Sequence, residues 1–277
     1  MTRPGDSTIP YSLGSSERET ERLMAQGAAI DELTRNLFTS AGMQPGMSVL
    51  DLGSGAGDSS LAARAVVGET GRVVGVDYTA TSLARASQRV TDAGITNVSF
   101  IEADLTQPFD PGEEFDAIVG RLVLMYLPNR SELLTSLLPN LKPGGIVSFG
   151  EVNVDGGPTE PRSEHWDLLE SWWLQALTAN GTEVRMAMKL RALLTHCGFM
   201  DLDGWSSLGN VSSVDGMRNR LNIGRSMLPI MRRYEVAPPE ELDRFDEYEA
   251  AAIREVEERG SVVISPTASN IWARKPV

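Results

Sequence analysis

Three acids stand where short apolar runs of this chain end: Asp51, Asp77 and Asp104. The first opens the stretch Asp51-Leu52-Gly53-Ser54-Gly55-Ala56-Gly57-Asp58, which follows Val49-Leu50. Alternating glycines after such a run let backbone approach a bound nucleotide-like molecule closely, because no Cβ stands in the way. The spacing is G-x-G-x-G. Dinucleotide enzymes use G-x-G-x-x-G to seat a pyrophosphate on a helix N-terminus. Acids on both flanks, Asp51 and Asp58, would repel a phosphate.

Those acids suit a ligand that carries an ammonium and a sulfonium, and S-adenosylmethionine has both. Asp77 closes the next apolar run, Arg72-Val73-Val74-Gly75-Val76. A carboxylate there can hold both ribose hydroxyls. Asp104 follows Ile101-Glu102-Ala103 and can accept from an exocyclic adenine amine. Three acids at consecutive strand ends would line one crevice.

Two groups could serve as a general base. His165 begins a helical segment just after a Gly/Pro loop, and imidazole is an ordinary base at neutral pH. Glu151 ends an apolar run and is its rival. The bland alternatives are a helix-start histidine and a structural acid. His196 lies beside Cys197 late in another helical segment and reads as structural. The single cysteine excludes an internal disulfide and a cysteine-rich zinc cluster.

The elements that must position these residues follow from pattern. Residues 1–15 read as a polar arm and 17–41 as a helix with apolar residues at helical spacing. Strands are expected at Ser48–Leu52, Arg72–Asp77, Asn97–Ile101, Phe115–Gly120 and Ile146–Gly150. Helices are expected at 58–67, 79–93 and 130–141, the last ending in Lys142-Pro143-Gly144-Gly145. Strands alternating with helices imply a doubly wound parallel sheet. Beyond residue 151 the pattern predicts helices at 163–180, 184–197, 212–232 and 239–259. Strands are expected at 199–207 and in the tail, at 262–264 and 268–273. Trp166, Leu169, Trp173 and Leu177 share one helical face, with Leu168 and Trp172 opposite. A helix apolar on both sides is sandwiched.

Residues 45–151 resemble the core of a class I S-adenosylmethionine-dependent methyltransferase. The resemblance rests on the glycine loop (51–57), Asp77, Asp104 and the Lys142–Gly145 turn. Tyr11-Ser12-Leu13-Gly14, the Gly120–Tyr126 segment and Trp272-Ala273-Arg274 extend it towards the ubiquinone/menaquinone type, many members of which act in bacterial secondary metabolism. Ser54 stands where many members carry cysteine. The resemblance implies an α/β fold with a doubly wound, mostly parallel seven-stranded sheet, an N-terminal helical arm and a helical cap. It implies cofactor contacts from Asp51, Gly53, Ser54, Gly55, Gly57, Asp77, Tyr78, Asp104, Leu105 and Arg121, with Tyr11 closing over the ligand. Arg121 would meet the methionine carboxylate or an acceptor oxygen, or else a neighbouring acid.

On this reading the chain divides into an arm and helix (1–44), a cofactor core (45–151), a cap helix (152–183), a core helix and strand (184–208), a helical lid (209–260) and a final core strand (261–277). The segment after the fourth strand lacks both the Asn/Asp-Pro-Pro-aromatic tetrad of nucleobase methyltransferases and the aspartate of the metal-dependent catechol type. No metal is therefore expected. The apolar cap points to a hydrophobic small-molecule acceptor of polyketide, terpenoid or indole type. A nicotinamide-dependent oxidoreductase and a non-catalytic ligand-binding protein are the alternatives.

The chain has 277 residues, is 41% hydrophobic and carries a formal charge of -13. That charge disfavours nucleic acid and anionic membranes as partners. A soluble, cytoplasmic homo-oligomer is expected.

Overall fold

The computed structural model describes residues 32–155 and 157–277. The arm, Tyr11 and residues 17–31 of the expected 17–41 helix lie outside the described residues. The chain forms two compact units.

The first unit runs to Val154 and adds Arg185–Leu208 and Pro266–Val277. It is built on seven strands: β1 (Ser48–Leu52), β2 (Arg72–Asp77), β3 (Val98–Glu102), β4 (Phe115–Arg121), β5 (Leu141–Val152), β7 (Met200–Ser207) and β9 (Ala268–Arg274). Their order in the sheet is β3-β2-β1-β4-β5-β9-β7. The first five are parallel, and β9 runs antiparallel to both neighbours. The doubly wound, mostly parallel fold class expected above is therefore present.

Sequence explains this directly. Val49, Leu50 and Leu52 are fully buried, as are Val73 and Val76, and strands covered on both faces need such continuous apolar runs. A helix over residues 32–40 (α1) buries Leu37 and Phe38 in a cluster that includes Val49, Val73, Ala117 and Ile146. Helices α2 (Asp58–Val67), α3 (Ala80–Asp92) and α6 (Met186–His196) pack on the strands beside them. Strand order reverses between β1 and β4. At such a switch point the connections leave in opposite directions, which opens a crevice at the carboxyl ends of the strands.

Two expectations shift in this unit. Helix α4 is Arg130–Ser136 and stops short of 141, because Pro139 lacks an N–H and restricts the residue before it. The Lys142–Gly145 turn lies inside β5 as a loop-out: Phe115 faces Leu141, and Ala117 already faces Ile146.

The second unit comprises Asp155–Val184 and Gly209–Ser265. It holds α5 (Glu164–Ala179), α7 (Val214–Ser226), α8 (Leu228–Arg233), α9 (Pro239–Asp243) and α10 (Phe245–Arg259). A short ribbon joins β6 (Thr159–Glu160) to β8 (Val262–Val263) in antiparallel register. Helix α5 packs against α7, α8 and α10. Trp166, Leu169, Trp172, Trp173 and Leu177 are buried, as are Met217, Leu221, Met231 and Phe245. The predicted helix 212–232 is broken at Met227, two residues before Pro229, whose ring starts a new helix. The predicted helix 239–259 is broken at Arg244. Val262-Val263, expected in the tail, pairs with β6 in this unit.

Candidate active site

Asp51 is the fourth residue of β1 and is fully buried. Its Oδ2 accepts a hydrogen bond from Ser60 Oγ at 2.6 Å. Its Oδ1 is buried with no hydrogen-bond partner among the described residues. Burial pushes the carboxyl up to about 7, against the pull of the Ser60 and Ser59 hydroxyls and the charge of Arg121.

The glycine loop turns with positive φ at each glycine: 66° at Gly53, 52° at Gly55 and 88° at Gly57. The three differ in what surrounds them. A Cβ on Gly53 would sit 2.4 Å from Val123 Cγ2, and one on Gly57 3.1 Å from Ala86 Cβ. At Gly55 a Cβ would meet nothing within 4 Å. Gly53 and Gly57 are therefore small for packing, whereas Gly55 presents bare backbone to open space. This predicts different outcomes for two substitutions. Gly55→Ala is expected to cost only about 1–2 kcal/mol for the left-handed backbone. Gly53→Ala adds the displacement of Val123, and its loss should exceed about 3 kcal/mol. Urea unfolding of the two variants checks this, and equal losses would contradict it.

Asp77 closes β2 and ties the loop down. Its Oδ2 accepts from Gly55 N at 2.9 Å and its Oδ1 from Thr79 N at 2.8 Å. One carboxylate thus holds both the glycine loop and the residue that caps α3. Tyr78, next in the chain, is half-exposed. Asp104 lies beyond β3, where its Oδ1 accepts from Thr106 N at 2.9 Å and Thr106 Oγ1 at 2.7 Å. Leu105 is buried, and its carbonyl accepts from Asn129 Nδ2 at 3.0 Å. Asp58 has a different occupation from the one its position implied: it pairs with Arg89 at 2.8 Å, and Arg89 also donates to Ala56 O. Its charge is neutralised across α2 and α3 rather than offered to a ligand.

Arg121 ends β4 at the switch point. The next residue, Leu122, has φ 53°, a strained value for a side chain with a Cβ. Leu122 N donates to Gly150 O at 2.8 Å. Glu151 then secures the turn, its Oε1 accepting from Val123 N at 3.0 Å and Leu124 N at 2.8 Å. Glu151 is fully buried and its Oε2 has no partner among the described residues. Burial raises its carboxyl to about 7, against hydrogen bonds from the Leu124, Val123 and Met125 N–H groups. The acid that sequence offered as a base is, in the structure, the anchor of a strained turn. One oxygen remains unsatisfied.

His165 belongs to the helical unit, at the second position of α5. Its Nδ1 lies 2.7 Å from Glu255 Oε1. The other carboxylate oxygen accepts from Ser163 Oγ at 2.7 Å and His165 N at 3.3 Å. Partial burial opposes ionisation of Glu255, but these bonds outweigh it and hold the carboxyl down at about 2. A carboxylate on Nδ1 fixes the ring and leaves Nε2 as the nitrogen able to act as a base. In the same unit Arg220 is buried, bonds Glu170 at 2.6 Å and lies 3.7 Å over the Trp173 ring.

The structure therefore places Asp51, Gly53, Ser54, Gly55, Gly57, Asp77, Tyr78, Asp104, Leu105, Arg121 and Glu151 in the sheet unit. It places His165 in the helical unit. Sequence reasoning missed Glu255, Ser60 and the Arg220–Glu170 pair. Ser60 had a signal, since it lies three positions beyond the loop on the first turn of α2. The others pair across long separations and had none. Among the described residues no cluster of three or more His, Cys, Asp or Glu side chains is placed to hold a metal ion. No helix there is long and apolar enough to cross a membrane.

A family model described as a methyltransferase domain matches residues 43–205, more than half of the chain. Among curated relatives, the ubiquinone/menaquinone biosynthesis C-methyltransferase UbiE of Ectopseudomonas mendocina is 34% identical over 119 residues, covering 43% of this chain and 46% of that protein. The chain spans about half the length of the curated relatives it matches. Among solved structures, the [4+2]-cyclase SpnF aligns with a TM-score of 0.55 at 23% identity over 90% of this chain and 82% of that one. A Haemonchus contortus phosphoethanolamine N-methyltransferase, solved with S-adenosyl-L-methionine, aligns with a TM-score of 0.55 at 18% identity over 89% and 53%. At these identities the structural likeness speaks for the fold.

Proposed function

The chain belongs to the class I S-adenosylmethionine-dependent methyltransferase family, and from that premise we propose that it moves a methyl group from S-adenosylmethionine to a hydrophobic small molecule. The observation that carries the donor assignment is the bare face of Gly55, whose N–H is held by Asp77, together with the buried, unpartnered Oδ1 of Asp51 near the end of β1. A neutral pyrophosphate seat is not what these residues make. They make an acidic cradle, which fits a ligand with positive centres. Asp77 would take the ribose, Asp104 and Leu105 the adenine edge, and Tyr78 a face of the nucleoside. Gly53, Ser54, Gly55 and Gly57 would shape the loop around the ligand, and Arg121 would face the methionine carboxylate.

When bound, S-adenosylmethionine supplies an electrophilic methyl on a positively charged sulfur. The chain's own task is to align the acceptor and exclude water, because charge disperses during in-line transfer and a dry, oriented site supplies much of the rate. In this reading the reaction is metal-independent. His165, its Nδ1 held by Glu255, is the candidate base that the helical unit offers, and Glu151 shapes the turn after β4.

The acceptor class draws support from the helical unit. Its tryptophans are packed inside it, and the indole N–H groups of Trp166 and Trp173 are buried without acceptors among the described residues. A buried N–H without a partner costs about 1–3 kcal/mol. An apolar molecule with carbonyl or hydroxyl oxygens, as polyketide, terpenoid and indole-type metabolites have, would satisfy such donors.

Calorimetric titration tests the donor. S-adenosylhomocysteine should bind and NAD(P) should not, while Gly55→Ala should keep the fold and lose the binding. Binding of NAD(P) alone would overturn the assignment in favour of an oxidoreductase. Transfer of labelled methyl to hydroxylated naphthalenes and indoles then tests the acceptor class.

A further inference from the structure

We propose that Asp51 is the group by which the site tells the charged methyl donor from the uncharged-sulfur product, ionised opposite the donor and protonated once the product is left. The inference rests on the cofactor reading above and adds to it how the product is released.

Donor and product share their adenosine, amino and carboxylate groups. They differ by one methyl and by one positive charge at sulfur. A group can separate them by touching the methyl or by responding to the charge, and a carboxylate does the second. Asp51 is placed to do so because its own charge is poorly matched. Ser60 Oγ donates to Oδ2 at 2.6 Å, and the neighbouring Ser59 hydroxyl adds a weaker pull. Oδ1 is enclosed without a partner, and so is the nearby Ser54 Oγ. The loop N–H groups that could have served it are committed elsewhere: Ser54 N to Val76 O, Gly55 N to Asp77 Oδ2 and Gly57 N to Ser54 O.

The charged groups around it leave the deficit open. On β2, Asp77 adds a second negative charge, held by Gly55 N and Thr79 N. On α2, Asp58 is paired to Arg89 of α3. On β4, Arg121 acts through space. A fully buried carboxylate served only by neutral serine hydroxyls, with one oxygen unpartnered, is unfavourable unless a proton or a cation completes it. The free site supplies a proton, and the elevated carboxyl of about 7 agrees with that. In the proposal the donor's sulfonium, and not the ammonium that both ligands keep, supplies the alternative.

The protons balance over a cycle. Donor binding expels the Asp51 proton to solvent. Methyl transfer removes the positive charge from sulfur, and Asp51 regains a proton from solvent while the product is still bound, so that product release moves no proton. The sign for pH follows. Below about 7 the donor must displace a proton to bind, and above it the carboxylate is already present. Preference for donor over product therefore rises with pH through that range and then levels off.

The test is calorimetric titration of the full chain with S-adenosylmethionine and with S-adenosylhomocysteine, in buffers of different ionisation enthalpy. Between about pH 6 and pH 8 the ratio of donor to product affinity should rise about tenfold. Donor binding near pH 6 should release close to one proton, and product binding should release none. Asp51→Asn should flatten the ratio and abolish the release. Ser60→Ala, which leaves the carboxyl in place, should move the midpoint to higher pH because a hydrogen bond to the charged form is lost. A ratio that is flat in the unmodified chain, or that keeps its pH dependence in Asp51→Asn, overturns the proposal while leaving the cofactor reading intact. Failure of both ligands to bind overturns the two together.

Discussion

Asp77→Ala is expected to lower S-adenosylhomocysteine affinity by about a hundredfold or more. Two effects combine. The carboxylate is the proposed acceptor for the ribose hydroxyls, and a hydrogen bond to a charged group contributes about 1.5–3 kcal/mol. It also holds Gly55 N at 2.9 Å and Thr79 N at 2.8 Å. Without it the bare Gly55 face is no longer fixed before the ligand arrives, and ordering it is added to the cost of binding. Asp77→Asn separates the effects, because an amide oxygen can still accept from one backbone N–H. An intermediate loss is expected for it. Affinity retained within about threefold in Asp77→Ala would remove the ribose assignment.

Glu170→Ala is expected to destabilise the helical unit by about 3–5 kcal/mol. Arg220 is 8% exposed and Glu170 18%, and their contact is 2.6 Å. Burial works against the charge on both, and each supports the other's charged form. Removing the acid strands a guanidinium between Trp173 and the helix core. Replacing both by methionine should return stability to near the starting value or above it, since a buried ion pair gains little over well-packed apolar atoms. Urea unfolding followed by tryptophan fluorescence reads the difference. A loss below about 1 kcal/mol for the single variant would mean that the pair behaves as a surface one.

What could be read from sequence follows from the range of the interactions. The five parallel strands were legible because strands buried on both faces must be continuously apolar, and Val73-Val74 or Ile118-Val119 admit little else. The loop was legible because Gly53, Gly55 and Gly57 need positive φ within five residues. The roles within it were less so. Sequence could not show that Asp58 is absorbed by Arg89, nor that Gly53 is small on account of Val123. Glu151 was visible as an acid at a strand end, but its bonds to Val123 and Leu124 depend on the turn that a strained Leu122 makes. The helical unit was the least legible. Its helices were foreseen, yet the break at Met227 and the pairing of Thr159 with Val263 were not. Glu255 meets His165 across ninety positions, and no local pattern announces such a partner.

The helical unit is assembled from two stretches, Asp155–Val184 and Gly209–Ser265, with a helix and strand of the sheet unit between them. This has a consequence for how the chain is made. As synthesis proceeds from the N-terminus, α5 emerges with Trp166, Trp172 and Trp173 before α7 and α10 exist to cover them. Its apolar faces stay exposed until residues near Val263 are added and β8 closes on β6. During that interval the nascent chain offers a binding site to chaperones and to other nascent chains. Expression yield should therefore respond more to growth temperature and translation rate than the stability of the finished fold would imply.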